Sequence, residues 1–214
     1  MIYSRILSTK QLRIVPKLGF LKKEGFYLAG GTALSLHLGH RTSVDFDFYT
    51  KKDFTPTKTI KRLENILPGL AINFQTKDSI GATIEDIGLS FFYYDYPLLA
   101  PVANFQGINL ASIQDIAAMK LIAIVQRGTK RDFIDIYYLL TKYSLDQIIS
   151  YAIKKYPGYQ EMIILRALIY FEDAEKETGL RKIKIFNSDF SWEAAKEKIF
   201  QAVKKHQLAM IRKK

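Results

Sequence analysis

Two short polar motifs constrain this chain more than any other feature. Gly30, Gly31 and Thr32 follow a short apolar segment, and Asp45 and Asp47 alternate with phenylalanines, beginning thirteen positions after Thr32. A strand, a Gly-Gly-Thr turn and a helix start form a phosphate cradle, because glycines allow close backbone approach and helix N-termini attract anions. The order of the two motifs therefore predicts a phosphate-binding turn next to an acidic strand.

The acidic motif predicts a magnesium site. Residues 44–49 alternate apolar and acidic side chains, which favours a strand with one polar face that carries both Asp45 and Asp47. Two adjacent carboxylates repel each other unless a cation lies between them, and Mg²⁺ binds through one or two carboxylates plus substrate phosphates. We expect a nucleoside triphosphate such as ATP and phosphoryl-type transfer. A solvated strand edge and an ordinary Thr-capped turn remain alternatives.

Three neighbouring side chains are predicted to add phosphate contacts. The Thr32 hydroxyl can donate to a phosphate oxygen, and Arg41 and Ser43 lie just before the acidic strand. Arg41 is equally compatible with a surface charge. The predicted nucleotide-binding residues of this region are Gly30, Gly31, Thr32, Arg41 and Ser43.

The spacing of apolar residues predicts an α+β fold, with a mixed sheet flanked by helices followed by a C-terminal helical bundle. In the first half, it predicts helices over 8–24, 32–38 and 55–67 and strands over 26–29, 44–49, 71–76, 82–87 and 89–96. In the second half, it predicts helices over 112–127, 130–143, 145–155, 160–177 and 191–211. We expect one domain over 1–110 and a helical domain over 111–214 that completes the active site.

Composition limits the class of protein and its partners. The 214 residues include no cysteine, which excludes disulfides and thiolate metal sites. The net charge of +11 favours a polyanionic partner, most often nucleic acid, although a solubilising surface with a frayed basic tail is an alternative. The sequence has no secretory signal and no apolar run of about 20 residues, so we expect a cytoplasmic protein without a membrane partner.

The second half contains a lysine in an unexpected position. Lys120 lies within the apolar stripe of the helix predicted over 112–127, and Arg127 follows on the same stripe. Burying an ammonium group is costly, so Lys120 either extends to solvent or holds its charge over a triphosphate.

Two carboxylates on the following helix are further candidates. Asp132 shares a helix face with apolar residues, and Asp135 lies three residues later. A capping box with Thr129 would explain Asp132 without any catalytic role, and an ion pair with Arg131 would explain Asp135.

These segments resemble a known family. Residues 28–34 (LAGGTAL) and 41–48 (RTSVDFDF) resemble motif I of the AbiEii/AbiGii toxin family of nucleotidyltransferases, within the DNA polymerase β-like superfamily. Residues 115–120, Arg127 and residues 131–135 are similar to the downstream motifs of that family. The resemblance covers roughly residues 26–140 and implies a nucleotidyltransferase-type sheet.

The resemblance implies a Mg²⁺-dependent enzyme that moves a nucleoside monophosphate from a nucleoside triphosphate to an acceptor hydroxyl. It further implies the toxin of a type IV toxin–antitoxin or abortive-infection system, with a cognate antitoxin. Some relatives modify the 3′ end of tRNA, and the basic charge of this chain fits an RNA acceptor.

The resemblance implies that Lys120 and an aspartate of residues 131–135 are needed for activity. Together with the chemistry of the residues, it predicts a role for each of them. Asp45 and Asp47 hold the metal, and Lys120 and Arg127 neutralise the triphosphate. An aspartate of the downstream run orients or deprotonates the acceptor. The predicted catalytic residues are thus Asp45, Asp47, Lys120, Asp132 and Asp135.

One departure from the superfamily pattern leaves alternatives open. The superfamily usually carries a third carboxylate on a later strand, where this chain has Ser90. Either Asp132 or Asp135 takes that role, or the metal site is weaker. A small molecule or a protein as acceptor, and a non-catalytic nucleotide- or RNA-binding module, are the alternative functions.

Overall fold

The computed structural model describes residues 2–177 and 183–212, and it confirms the α+β fold class. Internal contacts divide the chain into two compact units, Met1–Ser112 and Ile113–Lys214. The first contains a mixed sheet with helices, and the second is helical.

The N-terminal unit is built on a sheet of seven strands among its described residues. In chain order they are β1 Tyr27–Ala29, β2 Phe46–Thr50, β3 Ala71–Gln75, β4 Ser79–Ile84, β5 Ile87–Tyr93, β6 Ala103–Phe105 and β7 Ile108–Leu110. Their order across the sheet is β3-β4-β5-β2-β1-β7-β6. β2 runs parallel to β5 and β1 parallel to β7, while the other neighbours are antiparallel.

The strands alternate as the sequence predicts. Phe46, Phe48 and Phe91 are fully buried on one face of β2 and β5, and their rings contact one another. The intervening residues of both strands are half-buried and lie on the opposite face. This alternation places the polar residues of β2 together on the second face.

The described residues of this unit also form three α-helices: α1 Thr9–Ile14, α2 Gly30–Leu38 and α3 Pro56–Ile66. The single helix predicted over 8–24 is wrong, because α1 ends at Ile14 and a 3₁₀ helix continues over Val15–Lys22. Pro16 has no N–H, and its ring conflicts with the carbonyl four residues earlier, so regular α geometry stops there.

Two turns in the sheet differ from the sequence prediction. Glu85 adopts a left-handed conformation with φ 57°, so β4 ends at Ile84 rather than at residue 87. β4 also begins earlier than predicted, at Ser79 rather than at residue 82. The β6–β7 hairpin was not predicted at all. Its turn residues Gln106 and Gly107 have φ values of 47° and 90°, the geometry of the turns that tightly connect paired strands.

The regular elements described in the C-terminal unit are helices. They are α4 Ile113–Gln126, α5 Lys130–Leu139, α6 Leu145–Lys155, α7 Glu161–Leu168, α8 Glu172–Lys176 and α9 Trp192–Arg212. Helix α4 packs against α5, α6 and α7. No helix in the described part of the chain is long and apolar enough to cross a membrane.

One predicted helix of this unit is two separate helices. The helix expected over 160–177 is interrupted by Ile169, Tyr170 and Phe171, which have low helix propensity and separate α7 from α8. The helix expected over 130–143 ends earlier, at Leu139.

Candidate functional site

The two aspartates of the acidic motif lie at the centre of the sheet. Asp47 is paired in register with Ala29 of β1 on one side and with Ser90 of β5 on the other. Asp45 lies immediately before β2, and its Oδ1 accepts a hydrogen bond from the Gly88 amide at 3.2 Å. Both aspartates are half-buried. The residue beside Asp47 on β5 is therefore a serine, as the sequence indicated.

The Gly30 turn lies directly against Asp47. Gly30 has φ +70°, and a Cβ built there would lie 2.9 Å from the Asp47 Oδ2 atom. Both observations require glycine at this position. Helix α2 begins at Gly30, and its N-cap residue Ala29 makes no side-chain capping bond. The N-terminal amides of α2 are thus adjacent to an acidic side chain.

Gly31 lies against two of the other predicted nucleotide-binding residues. A Cβ at Gly31 would lie 2.6 Å from Arg41 Nη2 and 3.5 Å from the Ser43 hydroxyl oxygen. Arg41 is 2% exposed, so the interpretation of this residue as a surface charge is wrong. Its Nη1 donates to the Thr42 carbonyl at 3.0 Å. The structure therefore brings the guanidinium group to the start of α2.

Thr32 links α2 to the acidic motif. Its hydroxyl is buried, lies 2.8 Å from the Ser43 hydroxyl oxygen and donates to the carbonyl of Asp45. Gln11, which the sequence did not indicate, supports the same segment from α1, because its Nε2 donates to the carbonyls of Ser43 and Val44 at 2.9 and 2.8 Å. These hydrogen bonds fix the segment that leads into Asp45.

The C-terminal unit contains a buried network around Lys120. The Lys120 ammonium lies 2.9 Å from Asp132 Oδ1 and 2.7 Å from Asp135 Oδ2. Lys120 is 5% exposed and both aspartates are more deeply buried, so the interpretation of Lys120 as a side chain that reaches solvent is wrong. The three residues that the sequence singled out on α4 and α5 are therefore in direct contact.

Asp132 accepts further hydrogen bonds from Arg127 and Thr129. Arg127 donates from Nε at 3.0 Å and from Nη2 at 3.3 Å, and the Thr129 hydroxyl donates at 2.7 Å. Thr129 is the N-cap of α5 but makes no capping bond to the backbone, so the capping box does not form. The Arg127 side chain is 63% exposed although Asp132 anchors it.

These partners keep Asp132 ionised. Burial alone raises its pKa, but the charge of Lys120 and the hydrogen bonds and charge of Arg127 outweigh that effect and lower the pKa to about 2. A carboxylate with such a pKa is a weak proton acceptor at neutral pH.

The donor set of the sheet limits which metals fit. Among residues 2–177 and 183–212, no three His, Asp or Glu side chains cluster closely enough to hold a metal by themselves. The pair of Asp45 and Asp47 supplies only two carboxylates, which fits Mg²⁺ completed by water and substrate phosphates rather than an all-protein site.

Comparison with known proteins decides the family. The family model described as nucleotidyl transferase AbiEii toxin, type IV toxin–antitoxin system, matches residues 20–100 and 84–208. The chain belongs to the AbiEii nucleotidyltransferase toxin family. An uncharacterized protein of Aquifex aeolicus (strain VF5) is 42% identical to this AbiEii family member over 158 residues, which cover 71% of this chain and 76% of the relative.

Solved structures share the fold of this AbiEii family member. A candidate nucleotidyltransferase from H. pylori has a TM-score of 0.60 at 19% identity and covers 97% of this chain and 99% of its own. MenT4, a nucleotidyltransferase toxin of Mycobacterium tuberculosis H37Rv, has a TM-score of 0.51 at 15% identity and covers 90% and 82%. The family match confirms the resemblance inferred from the sequence, and the chain is a nucleotidyltransferase.

Proposed function

We propose that this chain transfers a nucleoside monophosphate from a nucleoside triphosphate to a hydroxyl of an RNA acceptor, namely tRNA, as the toxin of a type IV toxin–antitoxin system. The observation that carries the proposal is the contact of the Gly30 turn with Asp47. It brings amides suited to phosphate next to a carboxylate suited to a metal.

Asp45 and Asp47 are the proposed ligands of Mg²⁺. When bound, Mg²⁺ would neutralise phosphate charge and orient the triphosphate for in-line displacement. The hydrogen bonds of Asp45 to Gly88 and of Thr32 to the Asp45 carbonyl hold this part of the site in place.

The start of α2 is the proposed phosphate-binding element. The amides of Gly30, Gly31 and Thr32 carry the positive end of the helix dipole, and Arg41 and Ser43 lie against Gly31.

In the proposed reaction, the acceptor hydroxyl oxygen bonds to the α-phosphorus. The bond from that phosphorus to the oxygen that bridges the α- and β-phosphates breaks. Pyrophosphate leaves with that oxygen, and the hydroxyl proton passes to solvent.

The residues of the C-terminal unit have proposed roles that rest on their own network. We assign Lys120 and Arg127 to neutralising the triphosphate and Asp132 and Asp135 to holding them. The lowered pKa of Asp132 favours this positioning role over removal of a proton from the acceptor. We further propose that residues 111–214 form a helical domain that completes the active site of the domain over 1–110.

Charge and family support the acceptor and the biological role. The net charge of +11 favours a phosphate-rich acceptor, since phosphate contacts supply most non-specific affinity for nucleic acid. The family description supports the role as a toxin. A cognate antitoxin protein and a cytoplasmic location belong to the same proposal.

The test is incubation of the purified protein with Mg²⁺, each of the four α-labelled nucleoside triphosphates in turn, and total tRNA. Asp45→Asn and Asp47→Asn remove charge without changing shape, and the asparagine Oδ1 at position 45 still accepts from Gly88. Asp86→Asn is the matched control for the loss of one carboxylate charge, because Asp86 is exposed and forms an ion pair with Lys10. Parallel reactions offer an aminoglycoside or a protein mixture as acceptor.

We expect label on RNA with wild type and Asp86→Asn, and none with Asp45→Asn or Asp47→Asn. Label on the aminoglycoside or on protein, but not on RNA, would show that the acceptor is a small molecule or a protein instead of RNA. Equal transfer by the Asp45→Asn and Asp47→Asn variants would refute the assigned site.

A further inference from the structure

Aromatic side chains continue the sheet face that carries Asp47. Tyr49 lies two residues after Asp47 on β2, and it pairs in register with Phe92, which lies two residues after Ser90 on β5. The Tyr49 and Phe92 rings stack, with centroids 5.3 Å apart and planes at 29°. Because side chains two apart on a strand share a face, these rings are next to the two polar residues.

The aromatic surface extends outward beyond the strand ends. The Tyr94 ring centroid lies 5.0 Å from that of Tyr49, and the Tyr96 centroid lies 4.9 Å from that of Tyr94. Tyr96 is 40% exposed, while the other three are half-buried. We call Tyr49, Phe92, Tyr94 and Tyr96 the aromatic row.

The aromatic row is not part of the core on the opposite face of the sheet, although Tyr49 also stacks on the buried Tyr27 of β1. The core on the opposite face is already filled by Phe46, Phe48 and Phe91, which are at most 1% exposed. The aromatic row instead keeps partly accessible ring surface on the face that carries the acidic motif. Accessible aromatic rings beside a phosphoryl-transfer site are suited to stacking planar bases.

The chemistry of the proposed reaction specifies which substrate meets this surface. Attacking and leaving oxygens lie roughly in line through the transferred phosphorus. The Gly30 turn follows β1, on one side of β2, and β5 lies on the other side. If pyrophosphate leaves toward the turn, the acceptor approaches over β5, where Ser90, Phe92 and then Tyr94 follow one another.

Charge near the aromatic row fits a nucleic acid strand. Lys51 follows Tyr49 by two residues, is 64% exposed and lies 3.1 Å from Asp95. A strand that stacks its bases on the rings would bring its phosphates within reach of this ammonium group. We propose that the aromatic row stacks the single-stranded 3′ end of the RNA acceptor and so presents its terminal hydroxyl to the site. This inference rests on the proposed RNA nucleotidyl transfer.

The test uses the full chain and a single-stranded oligoribonucleotide with 2-aminopurine as its 3′ base, whose fluorescence reports stacking. Tyr94→Leu removes a ring, Tyr94→Phe keeps it, and Tyr96→Leu is a second variant at an exposed position. Tyr170→Leu is the matched control, an exposed tyrosine of the C-terminal unit. Binding is titrated without nucleotide, and the KM for RNA and for nucleotide are measured separately.

Removing the ring on which one base stacks weakens the binding of single-stranded nucleic acid by about 5- to 150-fold. We expect Tyr94→Leu to raise the RNA Kd and the KM for RNA within that range, Tyr96→Leu to raise both in the same direction, and Tyr94→Phe to restore them. The KM for nucleotide stays unchanged in all of them, and Tyr170→Leu behaves as wild type.

Two results would overturn the inference. If the wild type transfers nucleotide to RNA but Tyr94→Leu and Tyr96→Leu bind RNA unchanged, the proposed role of the aromatic row is refuted while the proposed function stands. A rise in the KM for nucleotide instead of the KM for RNA would assign the rings to the other substrate. Absence of any transfer to RNA by wild type would instead contradict the proposed function itself.

Discussion

Substitution of Gly30 by alanine separates the role of the turn in folding from its role at the site. The left-handed conformation at φ +70° costs a residue with a Cβ about 1–2 kcal/mol. The added Cβ would also lie 2.9 Å from Asp47 Oδ2, so the carboxylate must move. Displacement of a catalytic group by about 1 Å lowers rates by about 100-fold. We therefore expect Gly30→Ala to lose modest stability and most of its activity.

Gly39→Ala provides the matched control at the other end of α2. Gly39 has φ +65°, and its Cβ would lie 2.7 Å from the Tyr3 ring, far along the helix from Asp47. Urea unfolding should show similar losses of stability for both variants, whereas transfer kinetics should fall only for Gly30→Ala. If Gly30→Ala transferred nucleotide at the Gly39→Ala rate, the turn would have no part in the site.

Three further predictions concern the buried charges and the serine of β5. Because the pKa of Asp132 is lowered to about 2 in the folded state, its carboxylate stabilises the fold above the unfolded pKa, and about 2 kcal/mol of that stability is lost as pH falls from about 5 to about 2. The acid unfolding of Asp132→Asn should lack this pH-dependent loss of stability. Identical acid unfolding profiles for the variant and the wild type would contradict the prediction. Asp115 and Lys155 form a fully buried ion pair at 2.8 Å, so Asp115→Asn should destabilise the protein by about 3–5 kcal/mol in urea unfolding. A loss of stability no larger than that of a surface variant would contradict this prediction. Ser90→Asp adds a carboxylate in register with Asp47 and should tighten Mn²⁺ binding in the absence of nucleotide, as measured by electron paramagnetic resonance. Unchanged Mn²⁺ affinity would mean that position 90 does not face the metal.

Local geometry explains why part of the site could be predicted from the sequence. The alternation of Asp45, Phe46 and Asp47 directly reports which side chains share a face, and a Gly-Gly turn before a helix reports an accessible helix start. Lys120 was recognisable because a charge within an apolar stripe requires a partner.

The partners themselves depend on packing between distant segments. Lys120 pairs with aspartates twelve and fifteen positions later, a contact that needs the approach of α4 to α5. Gln11 supports the segment before Asp45 across more than thirty residues, and nothing in its local sequence indicates that contact. The sequence predicts the Thr32 hydroxyl as a phosphate contact or a helix cap, whereas its contacts with Ser43 and with the Asp45 carbonyl depend on the folded chain.

Some features that the sequence prediction missed do have a local signal in the sequence. Gln106 and Gly107 between alternating residues indicate a hairpin, and Pro16 indicates the end of regular α geometry. The aromatic row follows from the same alternation as the acidic motif, but its stacking across β2 and β5 required the strand register.

The most direct test of nucleotidyl transfer compares the position of the label in the nucleoside triphosphate. The protein, Mg²⁺ and total tRNA are incubated with either α-labelled or γ-labelled nucleotide, and labelled RNA is measured. We expect label on RNA only from the α position, with the γ label recovered in pyrophosphate. Label on RNA from the γ position would show phosphate transfer instead and would contradict the assigned reaction.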